Sequence, residues 1–111
     1  WKRIVFSMAI SNTDDHLRNH AFLLENNGWR LSPLYDVNPV PYGDELSLNV
    51  SEADNRISFA LALETACRFG IGQQEAVQTV DMIRSTVKRY GIGKARIEDM
   101  RPAFSACELP V

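Results

Sequence analysis

The chain has 111 residues, 45% of them hydrophobic and 23% charged, with a formal net charge of -2. This is the make-up of an ordinary globular domain with one core, and it gives no general electrostatic attraction to nucleic acid or to an anionic membrane. No apolar run approaches the ~20 residues that a membrane span needs, and no secretory signal stands at the start, so a cytoplasmic protein with no membrane partner is expected.

Residues 1–10 read as the last turns of a helix. Ile4 and Val5 with Met8 and Ala9 form the i, i+4 stripe of a buried face, and no cap residue precedes them. A helix that begins in mid-pattern leads to the expectation that residues 1–111 are one piece of a longer protein. A dense polar loop follows, and then a hairpin, with strands over 20–25 and 29–34 about an Asn26-Asn27-Gly28 turn. Asn-Gly between apolar runs is a hairpin signal because both residues tolerate positive φ. Pro33 has no N–H to donate, so it should end the second strand or lie on its edge. Phe22, Leu24, Leu31 and Leu34 are expected to pack the hairpin on the helices. Pro39 and Pro41 prevent a helix there, and residues 39–55 read as loop with one short extended piece over 46–50.

The remainder reads as helical. Ser58 can cap a helix over 59–69 that Gly70 ends. A second helix, over 73–90, places Ala76, Val80, Ile83 and Val87 on one stripe and stops at Gly91. A third, over 94–106, carries Ile97, Met100 and Phe104. Cys67 and Cys107 match no metal spacing, and both are expected to be small buried thiols. The fold class that follows is α+β and mainly α. A helix end, a polar loop, a β-hairpin, an acidic exit and a helical bundle succeed one another, the order found in the C-terminal, larger lobe of a protein-kinase-like fold.

Chemistry concentrates in residues 11–39, SNTDDHLRNHAFLLENNGWRLSPLYDVNP. Asp14 and Asn19 stand as D-x-x-x-x-N, the spacing of a kinase catalytic loop, in which the Asp positions the attacking hydroxyl and the Asn holds a metal. Asp36 follows directly after the hairpin. Each feature alone has a plain reading, since Asp in turns commonly caps the backbone and loop histidines are ordinary. Their occurrence in order across one hairpin favours the site. Asp15 is set aside, because only Asp14 has an Asn at the required offset. Arg18 reads as a surface charge.

At SNTDDHLRN followed by GWRLSPLYDVNP the sequence resembles the HipA family of bacterial serine/threonine kinase toxins, whose pattern is N-x-D-x-H-x-x-N, a hairpin, and then L-[ST]-P-x-Y-D. The segment SLNVSEADNRISFALALETACRFGI is also similar to the family's approach to its terminal helices. The resemblance implies that residues 1–111 are a HipA-like C-terminal kinase lobe acting with ATP and Mg²⁺. It implies Asp14 as the catalytic base, His16 facing the nucleotide phosphates, Asn19 and Asp36 as the metal ligands, and Tyr35 lining the nucleotide site. The implied partners are a protein substrate and a small helix-turn-helix antitoxin, with operator DNA reached through it.

A kinase also needs a smaller, sheet-rich lobe with a phosphate-binding Lys to cover ATP. No glycine-rich loop or strand-borne Lys stands in these residues, and Lys2, Lys88 and Lys94 all fall in helical segments. By itself the lobe is expected to be inactive. Two other readings stay open: a kinase-like lobe that docks a regulator without catalysis, and a phosphotransferase acting on a small molecule. Arg84, Lys88, Arg89, Lys94 and Arg96 could graze a DNA backbone, but interspersed acids make a solvated face the plainer reading.

Overall fold

The structure is a computed structural model and describes residues 1–90 and 98–111. Its core is built around the first helix, α1 (Lys2–Ile10), on which Val5, Met8 and Ala9 are fully buried. This helix packs against α2 (Phe59–Thr65), α3 (Gln73–Tyr90) and a 3₁₀ segment, Glu98–Cys107. Trp1 Nε1 donates to Ala62 O at 2.8 Å, tying the start of α1 to the middle of α2.

Three of the helix ends have an identifiable cause. At the end of α1, Ser11 adopts left-handed backbone angles (φ 53°), and the N–H groups of Ser11 and Asn12 return to Met8 O and Ser7 O. Such a turn satisfies carbonyls that the helix leaves open, and it aims the next residues away from the helix axis. Ser58 Oγ accepts the Leu61 N–H at 3.2 Å and starts α2. That helix tightens into a 3₁₀ turn, Ala66–Phe69, and stops at Gly70, whose φ of 74° suits a residue without Cβ. On α3 the predicted stripe is real: Ala76, Val80 and Val87 are buried and Ile83 is half-buried.

The hairpin forms as an antiparallel pair, β1 (Phe22–Glu25) and β2 (Gly28–Leu31), with Phe22 opposite Leu31 and Glu25 opposite Gly28. Both strands are shorter than the sequence suggested. The turn residues are Asn26 and Asn27, and neither has positive φ; Gly28 alone takes that role, at 111°. Pro33 lies just beyond the end of β2, where its missing N–H breaks no ladder.

Several expectations are corrected. Phe22, Leu24, Leu31 and Leu34 do not pack on helices; all four are exposed, Phe22 by 64% and Leu24 by 67%. A two-stranded ribbon has two faces, and among the described residues no helix buries the large apolar side chains on either. Residues 46–50 form no strand. The loop instead closes on itself through a single bridge, Glu45 to Arg56, with Leu46 N–H to Asn55 O and Val50 N–H to Asp54 O, both 2.7 Å, while Leu46 and Val50 drop into the core. Cys107 is buried but Cys67 is exposed, because it stands one residue, about 120° of 3₁₀ turn, past buried Ala66. The last segment is 3₁₀ rather than α and has Pro102 inside it. A proline there withholds an N–H and crowds the preceding turn. Met100 is half-buried and Phe104 buried, whereas the expectations for Gly91, Lys94, Arg96 and Ile97 lie outside the described residues.

Candidate functional site

The left-handed turn at Ser11 delivers the chain into the polar loop, and Asn12 fixes its direction. Asn12 is 2% exposed; its Nδ2 donates to Ser7 Oγ at 3.4 Å, and its Oδ1 accepts the Asn38 N–H at 3.3 Å. Val40 N–H adds a bond to Ser11 O at 3.1 Å. The end of α1 and the segment after the hairpin are therefore held side by side by buried polar groups with partners, as burial requires.

Asp14 and Asp15 diverge. Asp14 is exposed and its carboxylate takes no hydrogen bond among the described residues, which leaves all its acceptor sites free. Asp15 turns inward, with Oδ2 3.0 Å from His20 Nε2. His16 follows at the N-cap of a single 3₁₀ turn, Leu17–Asn19, and is half-buried.

Asn19 joins the two motifs. Its Oδ1 accepts the His16 N–H at 3.1 Å, and its Nδ2 donates to Asp36 Oδ2, also at 3.1 Å, across 17 residues of sequence. The two partners settle which end of the amide is which, since an N–H needs the oxygen and a carboxylate needs the nitrogen. The other carboxylate oxygen of Asp36, Oδ1, accepts from Asn38 Nδ2 at 3.0 Å. Asp36 also holds a left-handed backbone (φ 52°). Outside glycine that conformation is mainly visited by Asp and Asn, and the local bond from Asn38 stabilises it here. Tyr35 is partly exposed, and its hydroxyl donates to Arg18 O at 2.8 Å, so it straps the turn to the exit of the hairpin.

Among the described residues no group of three or more His, Cys, Asp or Glu could enclose a metal ion. Asp36 and Asn19 both carry hard oxygen donors, although Asn19 turns its amide nitrogen to Asp36 and its oxygen to the His16 N–H. Two such donors match a cation of the Mg²⁺ type, which takes one or two protein ligands and fills its remaining positions with water and phosphate oxygens. Asp36 retains free lone pairs beside the two N–H groups it accepts, and Asn19 Oδ1 retains one.

Hydrogen bonds bring His16, Asn19 and Asp36 together and tie Tyr35 to Arg18 of the same turn, whereas Asp14 is joined to none of them by a hydrogen bond among the described residues. Sequence reasoning missed Asn38 and gave no role to Asn12, the first residue of the N-x-D-x-H-x-x-N pattern, although these two hold the two segments together; it set Asp15 aside and gave His20 no role. A signal for Asn38 was present: an Asn two residues after an Asp and just before Pro is a turn-forming side chain. Arg84, one of the basic residues weighed for DNA, points inward. Its Nη2 donates to Cys107 O at 3.3 Å and to Leu109 O, and its guanidinium lies 5.3 Å from the centre of the Phe59 ring.

Comparison with known families gives one match: the profile of the HipA-like C-terminal domain covers residues 1–90. No curated protein and no solved structure gives a significant match.

Proposed function

Because the chain belongs to the HipA-like C-terminal domain family, we propose that it is the larger lobe of an ATP- and Mg²⁺-dependent serine/threonine protein kinase. The observation that carries this reading is the Asn19–Asp36 hydrogen bond, which couples the loop bearing D-x-x-x-x-N to the acid after the hairpin. Two motifs that were only in order along the sequence meet at one place.

Within this reading Asp14 is the base. Its free, exposed carboxylate accepts a hydrogen bond from the substrate Ser or Thr hydroxyl and takes the proton as that oxygen bonds to the γ-phosphorus, whose bond to the β,γ-bridging oxygen breaks and releases ADP. Asp36 and Asn19 would hold the cation, and the hydrogen bond from Asn38 fixes the Asp36 carboxylate. When bound, Mg²⁺ would neutralise the charge that develops on the phosphates during transfer. His16 faces the phosphates, and Tyr35 borders the nucleotide while bracing the turn. The smaller lobe that covers ATP comes from outside these 111 residues, and the exposed apolar ribbon is surface for such a cover. The partners are a protein substrate and a helix-turn-helix antitoxin, with DNA reached only through it. Among the described residues no helix is long and apolar enough to cross a membrane.

The test is γ-phosphoryl transfer from labelled ATP to protein, in the protein that carries this lobe together with its ATP-covering lobe. Asp14→Asn should lower transfer about 10²–10⁴-fold, the usual contribution of a positioned base. Its thermal midpoint should stay unchanged, because that carboxylate holds nothing in the fold. Asp36→Asn should remove transfer and its Mg²⁺ dependence together. A wild type that transfers nothing with ATP and Mg²⁺ present overturns the reading, and the apolar ribbon then favours a docking module without catalysis. Transfer confined to small molecules moves the acceptor class instead.

A further inference from the structure

The adjacent acids of the loop point to opposite sides. Asp14 faces solvent. The Asp15 and His20 side chains are only 18% and 23% exposed, and they meet at 3.0 Å. Their contact closes a ring over residues 15–20, and that ring contains the whole Leu17–Asn19 turn. Inside it, Asn19 Oδ1 receives the His16 N–H; leaving it, Asn19 Nδ2 reaches Asp36. The same pair lines a cavity of about 100 Å³ with Arg3, Ile4 and Ser7 of α1 and with buried Leu46, a cavity that Asp14 does not line. The loop is therefore pinned to the core on one side and free on the other.

We propose that the Asp15–His20 pair is a positioning device, which holds the 15–20 ring in the shape that presents Asn19 to Asp36 and leaves Asp14 open. Neither residue touches substrate; both act through Asn19. The contact forms with a proton on Nε2 that the Asp15 carboxylate accepts. The catalytic part of this inference rests on the phosphoryl-transfer reading, whereas the clamp itself can be read without turnover.

The experiment compares Asp15→Ala, His20→Ala, the double variant and Asp15→Asn in the full protein. It measures kcat and KM for ATP, and amide hydrogen exchange over residues 15–20. Removing a partner that orients a ligand residue typically costs about 10–100-fold in activity, so both single alanine variants should lose that much kcat. The KM for ATP should change little and exchange should rise within the ring alone. The double variant should be no worse than either single one, since both remove the same contact. Asp15→Asn still accepts the Nε2 proton and should recover most of the loss. The proposal is overturned if Asp15→Ala keeps wild-type kcat and exchange, if the two losses add, or if Asp15→Asn is as damaged as Asp15→Ala. Should the wild type transfer no phosphoryl group, the phosphoryl-transfer reading fails and exchange alone decides: faster exchange confined to 15–20 upholds the clamp, and unchanged exchange removes it.

Discussion

Single side chains here behave according to how far the fold removes them from water, and the two cysteines offer a direct measurement. Burial pushes the Cys107 thiol up from 9.0 to about 11, and its Sγ donates to Ala9 O at 3.4 Å. Between those values the folded chain retains a proton that the unfolded chain has lost. The contribution to stability is therefore complete below about 9 and declines as the pH rises towards about 11. Urea midpoints should fall across that window, and less steeply in Cys107→Ala. At neutral pH a thiol reagent should label exposed Cys67 in the folded protein, with Cys107 reacting only once denaturant is added. Equal labelling rates would contradict the buried position of Cys107. The same distinction between inward and outward separates Asp15 from Asp14, two identical acids side by side in the chain.

At the scale of elements, the parts that depend on near neighbours were legible. Ser58, Gly70 and the α3 stripe were all readable, because a cap needs one side chain at one position and a stripe needs only a period. Ser58→Ala should cost about 1 kcal/mol by leaving the Leu61 N–H without its acceptor, measurable as a drop in the urea midpoint; no drop would mean that this hydrogen bond is not formed in solution. Where elements departed from expectation, the local chemistry explains it. The turn used Asn26 and Asn27 with ordinary φ and left the strained conformation to Gly28, which bears it without a Cβ. The apolar spacing of Met100 and Phe104 suits an α-helix, but Pro102 stands between them. The proline prevailed, since it cannot take part in an α-helical ladder.

On the scale of the whole molecule, α1 is the hub and the ribbon is peripheral. Met8 is fully enclosed where α1 meets its neighbours, so Met8→Ala should cost about 2–5 kcal/mol through lost burial and the cavity left behind. Phe22→Ala, on an exposed ribbon, should change stability by only about 0.5 kcal/mol. Chemical denaturation of both variants checks the contrast; comparable losses would place the ribbon in the core after all. The sequence by itself made legible the first three helices, the Ser58 cap and the Gly70 stop, the presence of the hairpin and the kinship with the HipA-like C-terminal domain. Those features are written in periodicity, backbone preference and motif order, each a property of residues close together in the chain. Only the tertiary structure decided which acid of the dipeptide is free, that Asn19 and Asn38 grip the two oxygens of Asp36, that Arg84 faces inward and that the ribbon stands uncovered. These depend on which groups come within about 3 Å of one another across long stretches of chain, and hydrogen bonding and burial at that range are set by packing rather than by neighbours in sequence.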